Sequence, residues 1–200
     1  MNLKSNQNAN VRRAVHVHYE NKADHHVLVR AIRQLLPPTG SSPIIVVCIG
    51  TDRSTGDALG PLVGSYLERH RLPDSKVYGT LQKPVHAVNL HDTLQKIHAS
   101  YEDPFIIGID ACLGKHHNIG NITIAEGPVL PGAGVNKELL PVGDMNITGI
   151  VNVSGFMEYS VLQNTRLNIV MNLAQTIGRC LSVALTSRRR TLLSKLLLMD

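Results

Sequence analysis

The 200-residue chain has no tryptophan, and its aromatic content is five tyrosines and two phenylalanines. That supply is too thin for the stacked aromatic platforms that hold single-stranded nucleic acid, so no specific nucleic-acid partner is expected. Cysteine is scarce too. Cys48, Cys112 and Cys180 make an odd number with no Cys-x-x-Cys spacing, which excludes a disulfide framework and fits a reducing compartment. The opening residues, "MNLKSNQNANVRR", contain no apolar core of a signal peptide. No stretch is read as reaching the roughly 20 apolar residues that span a bilayer. The expectation is a soluble, cytoplasmic protein without a membrane partner.

What is present suits one domain with a full core: 43% hydrophobic residues and a formal charge of +5, with a pI near 9.3. The positive balance favours acidic partners at long range. Part of it is local, in "SRRRTLLSKLLL" near the C-terminus, which reads as a solvated helix end. Residues 1–22 are expected to be a flexible segment containing the short alternating stretch "AVHVHY", 23–186 a single α/β domain, and 187–200 a basic tail.

Within the domain, "ADHHVLVRAIRQLL" has one apolar helical face, and "IIVVCIG" is a continuous β-branched run of the kind buried in a parallel sheet. "ALGPLVGSYLERH" reads as a helix, with Pro61 in its first turn, and "KVYGTL" as a second strand. "NLHDTLQKIHASY" follows as a helix, with Asn89 as N-cap and Asp92 in a variant capping box. "PFIIGID" is a third strand. Too few residues separate it from "NITIAEG" for a parallel crossover, so this fourth strand is expected to run antiparallel beside the third. "ITGIVNVSG" makes a fifth, and "FMEYSVLQNTRLNIVMNLAQTIGRCLSVALT" supplies one or two closing helices. The fold class is α/β, three layers around a mostly parallel sheet of about five strands with one antiparallel member.

Ligands of such sheets bind beyond the carboxyl ends of the strands. The glycine-rich turn "GTDRSTGDALGP" brings Asp52 and Asp57 there, but no P-loop lysine. The loop after the second strand brings Lys83 and His86; the third strand ends in Asp110, followed by Cys112, Lys115, His116 and His117; the return loop adds Asn136, Lys137, Glu138 and Asp144. Asp57 and Asp110 from adjacent strand ends could work as a pair, one ionised to take a proton from water and one protonated to hydrogen-bond a scissile carbonyl. The same pair could hold a metal with His86, His116 or His117. Other readings stand beside these. Asp57 is also well placed to cap the following helix, Cys112 could be a nucleophile or a small buried thiol, and Lys137 could be a solvated loop cation.

Taken in order, "CIGTDRSTGDALGP", "IIGIDACLG" and "PGAGVNKELLPVGD" resemble the germination protease that degrades small acid-soluble proteins of bacterial spores. With "VYGTLQKPVHAVNL" and "MEYSVLQNTRLNIVM", the chain over residues 23–186 is most similar to a shorter relative, the YyaC-like sporulation protein family. More distantly, it resembles the hydrogenase maturation endopeptidases. The resemblance implies a phosphorylase/hydrolase-like fold and an atypical aspartic peptidase of the sporulating cell or spore interior, with Asp57 and Asp110 catalytic. Asp52, His86, Lys115, His116, Asn136 and Lys137 would line the substrate crevice. The substrate would be a protein or peptide, acidic spore proteins among the candidates, and a homo-oligomer is open. The endopeptidases bind metal with a return-loop histidine. The segment "GAGVNKELLPVGD" has none, so the expectation is no metal and no cofactor. The alternatives are a non-catalytic sporulation factor that binds a peptide or protein in the same cleft, and a metal-dependent maturation-type peptidase.

Overall fold

The computed structural model describes residues 14–70, 72, 74–132 and 139–196. Six strands form one mixed sheet: β1 (Ala14–His18), β2 (Ile44–Cys48), β3 (Ser75–Tyr78), β4 (Phe105–Gly114), β5 (Asn121–Glu126) and β6 (Met145–Val153). Their spatial order is β1-β5-β6-β4-β2-β3. β2 pairs parallel with β3 and β4, and β4 pairs parallel with β6. β5 is antiparallel to both β6 and β1, so it alone runs against the other five. The helices are α1 (His25–Leu35), α2 (Leu59–Arg69), α3 (Leu90–Ser100), α4 (Glu158–Gln163) and α5 (Leu167–Leu196).

The expected α/β architecture is present, with the single antiparallel strand, and three of its details are corrected. First, residues 14–18 of the segment taken as flexible form the edge strand β1. Its alternation places Val17 in the core while His16 bonds across to Thr123. Second, β5 does not lie beside β4: β6 is inserted between them, parallel to β4 and antiparallel to β5. Third, the basic C-terminal segment is not separate at its start, because α5 continues as one helix to Leu196.

Two cores flank the sheet. Val46, Cys48, Ile107, Ile109, Ile147 and Val151 point to the side carrying α1, α2 and α5, whereas Ile45, Val47 and Ile106 point to α3. One helical window, Leu167–Arg188 with mean hydropathy 1.3, is long and apolar enough to cross a membrane, contrary to the expectation from sequence. Half of that window is buried inside the fold. Val170, Leu173, Ala174, Ile177, Leu181 and Ala184 lie in the first core, which accounts for its apolar character. Leu167, at the start of that window, is exposed.

A candidate active site at the carboxyl end of the sheet

β2 ends at Cys48, and the chain turns sharply over its own end. Ile49 N–H donates to Ile109 O at 2.7 Å, and Gly50 N–H to Val85 O at 2.8 Å. Gly50 has φ +136°, and a Cβ there would sit 2.0 Å from the carbonyl oxygen of Asp57. Gly60 in α2 is equally confined, since its Cβ would meet Ile49 O at 2.1 Å. These glycines let α2 pack directly on the strand end. The turn is therefore closed on itself, and Asp57 is its clasp. Thr51 N–H donates both to Asp57 O at 3.2 Å and to the carboxylate Oδ2 at 2.9 Å. Asp57 does not cap α2: the N-cap is Ala58, without a side-chain bond.

Asp110 does not end its strand as expected. β4 runs four residues further, to Gly114, paired with β6, and Asp110 lies opposite Thr148. On its other side β2 has already stopped, the last register pair being Cys48 with Ile109. Asp110 is thus the first β4 residue past the end of β2. It is only 6% exposed, and its Oδ1 accepts a hydrogen bond from the Ala111 N–H at 2.8 Å.

The two carboxyl groups sit in unequal surroundings. Burial pushes Asp110 well above the usual carboxylate range, and the charge of Asp57 pushes it further, with the Ala111 N–H opposing in part. Asp57 is also raised by burial, but the Thr51 N–H and nearby His86 favour its ionised form. Where two acids interact, the proton stays on the more deeply buried one. Of the two, Asp110 is the one whose protonated form is favoured more strongly, by burial and then by the charge of Asp57.

Both acids line a cleft of about 340 Å³. The expected residues Asp52 and His86 line it with them. His86 is set by its loop: its N–H donates to Asn89 Oδ1 at 2.8 Å, and its Nδ1 accepts from Val88 N–H at 3.3 Å. Asn89, expected to cap α3 by its side chain, is spent on this loop, with Nδ2 donating to Pro84 O at 3.0 Å.

Lys115 and His116 are not in the cleft. The extension of β4 carries them past it into an exposed turn. His117 shares that turn, and Lys83 also falls outside the lining. Asp144 is at the opposite end of β4, where its Oδ2 accepts from Ile106 N–H at 2.7 Å. Asn136, Lys137 and Glu138 lie outside the described residues. Burial pushes the Cys112 thiol up to about 11, with a hydrogen bond to Thr148 opposing.

Several lining residues escaped the sequence reading. Tyr159 and Leu162 come from α4, far along the chain, with no local signal. Arg53 and Ser54 lie inside the glycine-rich turn itself, and their place between two acids was the available sign. Among the described residues, no group of three or more His, Cys, Asp and Glu is disposed to hold a metal ion. The described donors that line the cleft are the carboxyl groups of Asp52, Asp57 and Asp110 and the ring of His86.

Comparison with known proteins places this architecture. A solved structure, the [NiFe] hydrogenase maturation protease HycI from Thermococcus kodakarensis KOD1, superposes with a TM-score of 0.52 over 78% of this chain and 98% of that one. At 18% identity the likeness shows a shared fold, the phosphorylase/hydrolase-like one. The "Uncharacterized protein YyaC" of Bacillus subtilis (strain 168) is 57% identical over 148 residues, which is 74% of this chain and 72% of YyaC. The model of the family described as "Protein of unknown function (DUF1256)" matches residues 16–180, so the chain belongs to that family and is a homologue of YyaC.

Proposed function

We propose that the cleft is the active site of a sporulation-associated endopeptidase, in which Asp57 and Asp110 hydrolyse peptide bonds of a protein substrate. The observation that carries this reading is the asymmetry of the pair: a buried Asp110, raised by burial and by the charge of Asp57, beside an Asp57 whose ionised form is favoured. Water bound between them loses a proton to the Asp57 carboxylate as its oxygen attacks the carbonyl carbon. Asp110 donates its proton to the carbonyl oxygen, so no bare oxyanion forms in a desolvated site. Collapse of the tetrahedral species breaks the C–N bond. Asp57 delivers its proton to the leaving amine, and Asp110 recovers its own from the collapsing hydroxyl. No covalent intermediate and no metal are needed for this sequence of steps.

The net charge of +5 favours acidic protein substrates at long range, and small acidic spore proteins are the first candidates. The test is incubation of the full chain with such proteins, wild type beside Asp110→Asn and Asp57→Asn. Cleavage by the wild type alone supports the reading. Equal cleavage by all three removes the dyad. A second reading, a cleft that binds a peptide without cutting it, draws on the mouth, where Val88 is 85% and Tyr159 61% exposed. Binding by all three proteins with cleavage by none would favour it.

A further inference from the structure

Ser54 is a buried cleft residue that the reaction above does not use. It is 7% exposed, and its hydroxyl has no hydrogen-bond partner in the protein. Among the described residues the other buried side-chain polar atoms without a partner are Ser182 Oγ and Arg188 Nε, both on α5 away from the cleft. Buried hydroxyls are paired in the great majority of folds, because an unmade bond to a desolvated oxygen is costly. A buried hydroxyl left unpaired in the wall of the cleft is not explained by folding.

Its position is set by a rigid frame. Thr51 and Asp57 clasp the turn around it. Gly56, two residues on, is pressed against α4 and the turn after it, where a Cβ would meet Leu162 Cδ2 at 2.8 Å and Thr165 Oγ1 at 2.9 Å. The backbone cannot drift, but rotation about the single χ1 bond redirects the hydroxyl at little cost. Ser54 borders the cleft, so a bound chain is the partner within the site to which such a rotation would offer the O–H. An extended peptide presents a carbonyl oxygen at every residue. The scissile carbonyl is engaged by Asp110, which leaves the neighbouring ones without donors.

We infer that Ser54 is a substrate-positioning residue, donating its hydroxyl hydrogen to a main-chain carbonyl next to the scissile bond. The inference rests on the reading of the cleft as a peptide site, and it gives the turn a second task besides carrying Asp57. It also gives an unusual signature. A hydroxyl that serves the fold is missed on removal, whereas an unpaired one waiting for substrate is not.

The experiment uses the full chain as wild type, Ser54→Ala and Ser54→Thr, with a fluorescein-labelled pool of random decapeptides as probe. Melting temperature, binding by anisotropy, and cleavage by mass spectrometry are read together. Ser54→Ala should melt at or above the wild-type temperature while binding the pool roughly tenfold more weakly, the factor one hydrogen bond contributes. Where cleavage occurs, the loss should fall on KM, with kcat little changed, and Ser54→Thr should recover part of the affinity. A lower melting temperature for Ser54→Ala, or unchanged binding, overturns the inference. A wild type that binds the pool but cuts nothing removes the peptidase reading alone, and the Ser54 comparison is then decided on binding. A wild type that neither binds nor cuts overturns both.

Discussion

The two ends of the sheet make different uses of ionisable groups. At the amino end a hollow of about 710 Å³ is bordered by Thr39, Ser41, Asp74, Lys76, Tyr101 and Arg188. Its charges are mixed: Arg188 donates to Pro38 O at 2.7 Å and lies near Asp74. At the carboxyl end the cleft is half that size, about 340 Å³, yet it holds two carboxyl groups pushed above their usual range by burial. Volume does not make a site. A desolvated pair of like groups stores a difference in proton affinity that a wide, solvated hollow cannot. Asp144 repeats the lesson in one residue type. It faces the amino end, stays exposed, and is used to hold the Ile106 N–H.

The sharpest way to break this comparison is to neutralise the cleft acids. Asp110→Asn should lower peptide cleavage by roughly 100- to 10,000-fold, as expected for loss of an acid–base group, with Asp57→Asn in the same range. Residual cleavage above one tenth of wild type would place the chemistry elsewhere. Next in size, Gly50→Ala forces a Cβ against the Asp57 carbonyl at a positive φ. It should cost about 3 kcal/mol or more of stability and displace Asp57, so melting temperature and cleavage fall together. A variant that kept both would show that the turn is not clasped as described.

The proton affinities themselves predict a pH profile. Asp110 binds its proton more tightly in the folded chain than in the unfolded one. Its contribution is fully present below the unfolded value of about 4 and is lost as pH rises through the higher folded value. Wild-type melting temperature should therefore decline across that interval, with Asp57 acting in the same direction. Asp110→Asn should flatten the decline and melt above wild type at neutral pH. Identical profiles for the two proteins would mean that Asp110 is not held protonated. The smallest effect belongs to the other end. Asp144→Ala should cost about 1 kcal/mol, a few degrees of melting temperature, and leave cleavage unchanged. If it instead impaired cleavage without destabilising the fold, the division between the two ends would fail.

Much of the fold was legible locally. "IIVVC" reads as a doubly covered strand because β-branched runs without alternation have no solvent face to serve, and all five residues are buried. The antiparallel sense of β5 followed from the short connection before it. Its neighbour was not legible, because insertion of β6 between β4 and β5 is a competition among distant segments. β1 was partly hidden, since His16 and His18 make its alternation look like loop. For the site, Asp57 and Asp110 were readable from the turn and the acid in an apolar strand. Lys115 and His116 were misplaced because the length of β4 past β2 depends on pairing with β6. Tyr159 and Leu162 had no local signal, as α4 meets the turn only in space.

The sequence by itself determined most of the strands and helices, β1 and the far end of α5 excepted, and that two acids would stand near the carboxyl ends of adjacent strands. Those outcomes follow from apolar periodicity, glycine and proline placement, and connection length, all of which act over a few residues. Tertiary structure alone decided that Asp57 is clasped by Thr51 and not by its own helix, that Asp110 is buried and its proton affinity raised, and that Ser54 is left without a partner. Burial and charge proximity are sums over groups far apart in the chain, so they exist only once the chain has closed around them.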